Sequence, residues 1–372
     1  SGLSSLLDVL AYNTHYNAMA AHFALNEAFL DSAQIRGNIV SRAKLLGYIP
    51  RSVLAPRAIV NITVDVSGEN SSNIPSTLTL PRGAKLTTNV DGRNYRYVVL
   101  NEQTAVLSPS STFVFDNVTI VEGTRKKLLY RVDNDIENQK FQLSDDDADT
   151  STLRVLIQAN ELSTSYDNYT QFESLLNVDS SSRVYYIQEN SNEFYEIYFG
   201  DGVTGKKPIN NNIVTLDYIF TNAGDSNGAN VFTKVDNIGG YSNISISTLS
   251  KAAGGVEKET NESIRFNAPL TFTSQNRAVT SDDYRAIIKK EFTNINSIST
   301  WGGEDNDPPD YGAVYISIKP IVNEILTAAE KNEIMNTILK GKSVVSITPV
   351  IVDPNYTYLE IDCFFKYNPN LT

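Results

Sequence analysis

The chain has 372 residues, of which 41% are hydrophobic and 20% are charged. This is an ordinary globular composition, and at roughly 100–200 residues per domain it predicts two to four domains. The 43 acidic and 31 basic side chains give a net charge of −12. Because affinity for a phosphate backbone comes largely from clustered Lys and Arg side chains, direct nucleic-acid binding is not expected of so acidic a chain.

Cysteine and histidine are scarce, which limits several kinds of chemistry. Cys363 is the single cysteine, so no intrachain disulfide or Cys-based zinc site can form, and an intracellular folding environment fits. The absence of an apolar run near 20 residues argues against membrane insertion. Because the chain starts at Ser1 and stops just after a strand-like run, we expect a fragment of a longer protein.

Residues 1–50 are predicted to form a helical arm. Its first helix is expected to begin at a cap by Ser4 or Ser5 and to end near Leu30. Apolar residues with alternating spacings of three and four form one stripe, made of Val9, Tyr12, Tyr16, Met19 and Phe23. A second apolar face carries Leu3, Leu6, Leu7 and Leu10, followed by Ala21, Ala24 and Ala28. Two apolar faces predict packing on two sides. The candidate partner-interface residues are Leu6, Val9, Leu10, Tyr12, Tyr16, Met19, Ala21, Phe23, Ala24 and Ala28.

A second helix is predicted after Asp31, which with Gln34 matches a capping box. Gly47 is expected to end it, and one side is lined by Ile35, Ile39, Ala43 and Leu46. The alternative is that the whole segment folds back onto the rest of the chain as ordinary core.

The middle of the chain is predicted to be rich in β-strands separated by turn-forming clusters of Ser, Asn, Asp and Gly. We expect two β-rich domains, at residues 58–143 and 150–250, separated by the acidic stretch at 144–150. The predicted strands are Ala58 to Val66, Leu78 to Leu80, Tyr95 to Leu100, Thr112 to Val121, Leu153 to Gln158, Arg183 to Gln188, Phe194 to Phe199 and Ile213 to Phe220.

Residues 255–372 are predicted to form a small α/β sandwich of helix–strand–strand–helix–strand order, truncated at its C-terminal side. Thr280 with Asp283 and Thr327 with Glu330 are capping-box pairs that each predict the start of a helix. The predicted strands are Ile295 to Thr300, Ala313 to Lys319, Val344 to Val352 and Thr357 to Lys366. The whole chain is thus predicted to be a multidomain α+β protein.

The segment from Gly200 to Lys206 matches the first seven positions of a phosphate-binding P-loop. That motif next requires Ser or Thr and then a helix, whereas Lys207 and Pro208 follow here, before a strand-like run. A surface turn between two strands is therefore favoured over a nucleotide site.

Few other residues suggest a catalytic or metal site, and no cofactor or metal is expected. His15 and His22 are seven residues apart but have no evident third ligand, and Cys363 lies in a strand-like run, which favours a structural thiol. Three acidic clusters could bind calcium but lack the EF-hand pattern, so solvated loops are favoured: Asp133/Asp135/Glu137, Asp145/Asp146/Asp147/Asp149, and Glu304/Asp305/Asp307/Asp310.

Several segments resemble a known family. They are Tyr198-Phe-Gly-Asp-Gly-Val-Thr-Gly-Lys-Lys-Pro208, Glu262-Ser-Ile-Arg-Phe-Asn-Ala-Pro269, Asn276-Arg-Ala-Val-Thr-Ser-Asp-Asp-Tyr284, Trp301-Gly-Gly-Glu304 and Pro308-Pro-Asp-Tyr-Gly312. Together these resemble the baseplate J-like family of contractile tails. In the N-terminal part, residues 6–17, 26–31 and 48–51 look like the baseplate wedge proteins of T4-like phages.

The resemblance implies a structural, non-enzymatic subunit of a baseplate wedge, found in the virion tail after assembly in the host cytoplasm. It implies a second copy of the chain and other wedge proteins as partners, with the N-terminal helices in a shared bundle and no small-molecule substrate. A carbohydrate-binding or hydrolysing tail protein is the alternative, since the chain has 20 tyrosines. A nucleotide-binding protein is the third hypothesis.

Overall fold

The computed structural model describes residues 2–70, 74–172, 178–274, 277–292, 294–321, 324–344 and 346–357. The predicted strand from Thr357 to Lys366 and the thiol of Cys363 lie outside these residues, apart from Thr357 itself. The described helices are α1 (Gly2–Asn26), α2 (Arg36–Leu45), α3 (Asn261–Ser274), α4 (Ser281–Glu291) and α5 (Ala328–Glu333).

The strands are numbered in chain order. They are β1 (Arg57–Asp65), β2 (Thr77–Leu80), β3 (Lys85–Val90), β4 (Arg93–Val99), β5 (Gln103–Val106), β6 (Thr112–Glu122), β7 (Thr124–Arg131), β8 (Phe141–Gln142), β9 (Ala148–Gln158), β10 (Asp167–Gln171), β11 (Val184–Glu189), β12 (Tyr195–Phe199), β13 (Ile213–Phe220), β14 (Thr233–Lys234), β15 (Ile244–Ala253), β16 (Ser297–Gly302), β17 (Ala313–Lys319) and β18 (Thr348–Val352).

The two N-terminal helices differ from the prediction at their ends. Helix α1 already begins at Gly2, so neither Ser4 nor Ser5 caps it, and it ends at Asn26 before the predicted Leu30. Helix α2 has Ile35 at its N-cap without a side-chain cap, so the predicted capping box of Asp31 with Gln34 is wrong. The predicted stop at Gly47 is confirmed, because this residue takes the left-handed backbone conformation (φ +74°) that glycine adopts without strain.

The first sheet has the strand order β14-β3-β4-β6-β1-β15. Strand β1 lies inside it, pairs with β6 and β15, and alternates between half-buried and buried residues along its length. Every second residue from Ala58 to Val66 points into the core, where Phe113 and Phe115 of β6 pack against them. Strand β15, which lies more than a hundred residues further along the chain than β6, forms the edge of this sheet beside β1.

The second sheet has the order β7-β13-β9-β10-β11-β12-β8. Strand β13 lies between β7 and β9, and seven of its eight residues are buried. The two sheets do not coincide with the predicted segments 58–143 and 150–250, because β7 pairs in the second sheet and β15 in the first. The acidic stretch predicted to separate two domains runs directly into β9, which begins at Ala148.

Gly123 connects the last residue of β6 to the first residue of β7, where the chain passes from one sheet to the other. Its φ is +124°, and a Cβ there would lie 2.1 Å from the carbonyl oxygen of Phe220. Only glycine permits this close approach of two backbones. The change of sheet therefore depends on this residue.

The C-terminal unit follows the predicted helix–strand–strand–helix–strand order, as α4-β16-β17-α5-β18. Strand β17 pairs antiparallel with β16 and parallel with β18. Both predicted capping boxes, Thr280 with Asp283 and Thr327 with Glu330, are confirmed. The mixed α+β fold with a β-rich middle is thus confirmed, whereas α3 was not predicted.

Candidate functional site

Helix α1 stands apart from the rest of the described structure. None of its 25 residues is buried, so at about 1.5 Å per residue it extends for about 37 Å with its side chains in solvent. Phe23 is 48% exposed and Leu3 is 70% exposed. The alternative that the helix folds back as core is therefore wrong for α1.

The predicted interface residues of α1 all lie on this exposed helix except one. Val9, Tyr12, Tyr16, Met19 and Phe23 form the first stripe, on which the rings of Tyr12 and Tyr16 lie 4.9 Å apart. Leu6, Leu10, Ala21 and Ala24 are exposed elsewhere on the same helix. Ala28 is also exposed, but it lies in the turn after Asn26, because the helix ends before it reaches that residue.

The turn between α1 and α2 is held by the carboxylate of Glu27. It accepts hydrogen bonds from Gln34 N (2.8 Å), Ile35 N (3.3 Å) and Asn38 Nδ2 (2.7 Å). The bond from Asn38, followed by the backbone bond from Gln34, lowers the pKa of Glu27. This side chain binds the N–H groups of the two residues just before α2, so it ties the turn after α1 to the start of α2.

Helix α2, in contrast to α1, belongs to the body. Its residues Ile39, Val40 and Ala43 are buried against Ile264 and Ala268 of α3. The predicted inner side of α2 is therefore confirmed for Ile39 and Ala43, while Ile35 is 49% exposed. The predicted arm of residues 1–50 thus consists of a free helix and a docked one.

Two buried carboxylates anchor α2, and with their partners they form a root junction (Arg36, Tyr48, Glu189, Lys258 and Glu259). Arg36 donates two hydrogen bonds to Glu189, at 2.7 and 3.0 Å, and Lys258 Nζ lies 3.3 Å from the same carboxylate. Burial alone would lower the pKa of Arg36, but the hydrogen bonds and charge of Glu189 outweigh it, and the pKa is raised. Arg36 therefore keeps its charge and holds Glu189 in a bidentate geometry.

Glu259 is the second anchor of the root junction. Its carboxylate accepts hydrogen bonds from Tyr48 Oη (2.8 Å), Arg51 N (3.0 Å), Ser263 Oγ (2.6 Å) and Asn267 Nδ2 (3.1 Å). Burial, followed by the charge of Glu259, raises the pKa of Tyr48. The junction therefore joins the α2 segment, the second sheet and the start of α3.

Sequence reasoning did not identify Glu189 or Glu259. Arg36 is 153 residues from Glu189, and Tyr48 is 211 residues from Glu259, so no local spacing connects them. The one local signal concerns Glu189, which ends β11, a strand whose other residues are mostly buried.

The loop that follows β12 is a turn between two strands, as predicted. Asp201 Oδ1 accepts hydrogen bonds from Val203 N and Thr204 N, at 2.9 and 3.0 Å, and Lys206 Nζ lies 3.2 Å from Asp167. The chain then enters β13 rather than a helix. The loop therefore lacks the helix N-terminus that a P-loop directs at a phosphate.

The histidines and the acidic clusters are the remaining candidate sites among the described residues. His15 and His22 are exposed on α1. Within the described ranges, no three His, Cys, Asp or Glu side chains come together as metal ligands. No described helix combines the length and the apolar character needed to cross a membrane.

Comparison with known proteins gives matches along most of the chain. Residues 124–224 match the model described as bacteriophage baseplate wedge protein gp6, third domain, which takes in all strands of the second sheet. Residues 280–352 match baseplate structural protein gp6, C-terminal domain I. The baseplate wedge protein gp6 of Enterobacteria phage T4 is 27% identical over 404 aligned residues. That alignment covers 100% of this chain and 57% of the relative's length.

Two solved assemblies contain chains of distant similarity. A chain of the anti-feeding prophage baseplate aligns with 13% identity and a TM-score of 0.31, over 95% of this chain and 66% of that one. A chain of the type VI secretion TssK-TssF-TssG baseplate subcomplex aligns with 8% identity and a TM-score of 0.41, over 93% and 96% of the two chains. At these scores neither similarity bears on function.

Proposed function

This chain is a relative of the T4-like phage baseplate wedge proteins, and from that relationship we propose that it is a structural subunit of a contractile-tail baseplate in the virion. The resemblance predicted from the sequence is confirmed by two gp6 domain matches and by a relative aligned to the whole chain. Its role is to hold wedge proteins together rather than to catalyse a reaction.

The exposed apolar surface of α1 carries the proposal. Full burial of a Leu, Phe or Met side chain stabilises a complex by about 1.5–3 kcal/mol, and α1 offers such side chains along its whole length. Its one charged side chain is Asp8, so little charge is buried when α1 packs against helices of other chains. An apolar helix held on a rigid root is suited to join a bundle with helices of other chains.

The partners that we propose are a second copy of this chain and other wedge proteins, which meet in a helical bundle built on α1. Most helical stability in proteins comes from packing of an apolar face rather than from intrinsic propensity. The partner helices therefore stabilise α1 at the same time as α1 joins the chains. Nucleic acid, membrane and small-molecule substrates have no part in this role.

The test is the mass of the chain in solution by light scattering, alone and co-expressed with a candidate wedge protein. We expect the triple variant Tyr12→Asp, Tyr16→Asp and Phe23→Asp to lose the complex while the body stays folded, because burying three carboxylates in a bundle is costly. The matched control is Leu162→Asp with Tyr166→Asp, which changes exposed residues of the body. A complex that survives the triple variant would refute the role of α1.

A further inference from the structure

A groove of about 450 Å³ lies between α3 and α4. Its apolar lining includes Phe266 and Leu270 of α3 together with Ile321. Phe266 is 70% exposed and Leu270 is 42% exposed, although both lie on a helix that buries other residues. Exposed apolar side chains next to a groove are typical of a surface that receives another chain.

Two cations without carboxylate partners border the same groove. Arg51 Nε is buried and has no hydrogen-bond partner in the described structure, and Arg51 Nη2 reaches only the Glu257 carbonyl oxygen, at 3.4 Å. Lys289 is exposed and belongs to none of the ion pairs between described residues. Glu259 also lines the groove, but its oxygens already accept four different donors. The groove therefore suits a segment that carries both carboxylates and an apolar ring.

The chain itself contains such a segment, the acidic loop from Gly303 to Gly312. Glu304, Asp305 and Asp307 are exposed there, and no described ion pair includes them. Tyr311 is 81% exposed at the end of the loop. The loop thus presents three free carboxylates and an aromatic ring to the solvent.

Internal hydrogen bonds give the acidic loop a fixed shape. Trp301 Nε1 donates to Asn306 Oδ1 at 2.8 Å, and Tyr315 Oη donates to Asp310 Oδ2 at 2.9 Å. The Asp310 amide donates to the Gly303 carbonyl oxygen, also at 2.8 Å. A preorganised loop loses less conformational entropy on docking than a flexible one, which favours its use as a contact.

The groove and the acidic loop lie at opposite ends of the same strands. Strand β16 leads from the groove, where Ile295 and Asn296 line it, to the loop, and β17 leads back toward Ile321. Six residues at about 3.3 Å each separate the two ends by about 20 Å. One copy therefore cannot fill its own groove with its own loop, whereas two copies can meet head to tail.

We propose that the acidic loop of one copy docks into the α3–α4 groove of a second copy. Tyr311 packs on Phe266 and Leu270, and the free carboxylates of the loop face Arg51 and Lys289. Because two different patches meet, the contact is heterologous and propagates into a ring or a filament according to the angle between successive copies. It uses a surface other than α1, so it does not rest on the helical bundle.

Cross-linking in trans tests the contact. On a Cys363→Ser background of the full chain, a Lys289→Cys protein is mixed with an Asp305→Cys protein and treated with a short bismaleimide. The expected result is a covalent dimer that contains both variants and whose yield falls in 1 M salt, where the Debye length is only about 3 Å. The control replaces Lys289→Cys with Lys340→Cys, an exposed lysine outside the groove lining. No mixed dimer, or an equal yield with the control, would overturn the proposal.

Charge reversal gives an independent measurement, by sedimentation of the full chain that carries the three α1 substitutions described above. Lys289→Glu is expected to weaken self-association at least tenfold. Adding Glu304→Lys and Asp305→Lys in the same chain is expected to restore self-association, because the new lysines of the loop then face the new glutamate of the groove. Self-association unchanged by Lys289→Glu, or not restored by the reversed loop, contradicts the contact and leaves the role of α1 unaffected.

Discussion

At the scale of single residues, the root junction shows how a few buried charges hold α2 against the second sheet and the start of α3. The side chain of Glu189 is fully buried and is paired with both Arg36 and Lys258. Desolvating such a group is costly, and the cost is offset only while its partners stay in place. The junction is thus strong as a whole and sensitive to the loss of one member.

We therefore expect Glu189→Gln to lower the free energy of unfolding by about 3 kcal/mol, because it leaves two cations without a carboxylate. The measurement is urea unfolding followed by fluorescence. Glu161→Gln is the matched control, since Glu161 pairs with Arg131 in an exposed ion pair that contributes about 1 kcal/mol or less. Equal losses in the two variants would contradict the importance of burial at the junction.

At the scale of secondary structure elements, α1 and α2 are adjacent in sequence but opposite in their contacts. Both contain apolar residues at helical spacing, but only α2 buries them in the body. The apolar pattern alone indicates that a helix packs on something, and it does not say whether the partner is the same chain. This is the reason why the sequence left both alternatives open.

The two helices predict contrasting effects of the same kind of substitution. Phe23→Ala on α1 is expected to leave the free energy of unfolding of the isolated chain unchanged within about 0.5 kcal/mol. Ile39→Ala on α2 is expected to lower it by about 2–5 kcal/mol, because Ile39 is fully buried and its truncation leaves a cavity. Chemical denaturation of both variants under one condition makes the comparison. A large loss with Phe23→Ala would place α1 in the core.

Local signals predicted most of the elements, and non-local pairing accounts for most of what was missed. The capping boxes at Thr280 and Thr327 need only three neighbouring residues, and both were predicted. Helix α3 was missed because Pro269 lies inside it and its apolar pattern is weak. The place of β15 beside β1, and that of Glu259 beneath Tyr48, depend on the folded chain bringing distant residues together.

At the scale of the whole molecule, the two sheets meet through a charged junction of their own. Asp217 of β13 in the second sheet receives hydrogen bonds from Arg125, at 2.8 and 2.7 Å. Arg82, from the turn between β2 and β3, lies 3.3 Å from the same carboxylate. Arg125 also donates to the Arg82 carbonyl oxygen at 2.7 Å, which ties the backbone of the first unit to the second sheet.

The pH dependence of stability follows from the ionisation of Asp217. Burial alone would raise the pKa of Asp217, but the hydrogen bonds from Arg125 and the charges of Arg82 and Arg125 outweigh it and lower the pKa. A carboxylate with a lower pKa in the folded state stabilises the fold fully above its unfolded pKa of about 3.9. That stabilisation is lost as the pH falls through the folded pKa.

We therefore expect Asp217→Asn to lower the free energy of unfolding at pH 7 by about 3 kcal/mol, since it leaves the buried guanidinium group of Arg82 and the half-buried one of Arg125 without a carboxylate. Below about pH 4 the difference from the unmodified chain should shrink, because the unfolded aspartate is then protonated first, and the difference should vanish once the pH has fallen through the folded pKa. Urea unfolding at pH 7, 5, 4 and 3 measures both effects. Asp116→Asn is the control, an exposed aspartate on β6 outside the junction. A difference that stays constant from pH 7 to pH 3 would mean that the charge of Asp217 does not hold the two sheets together.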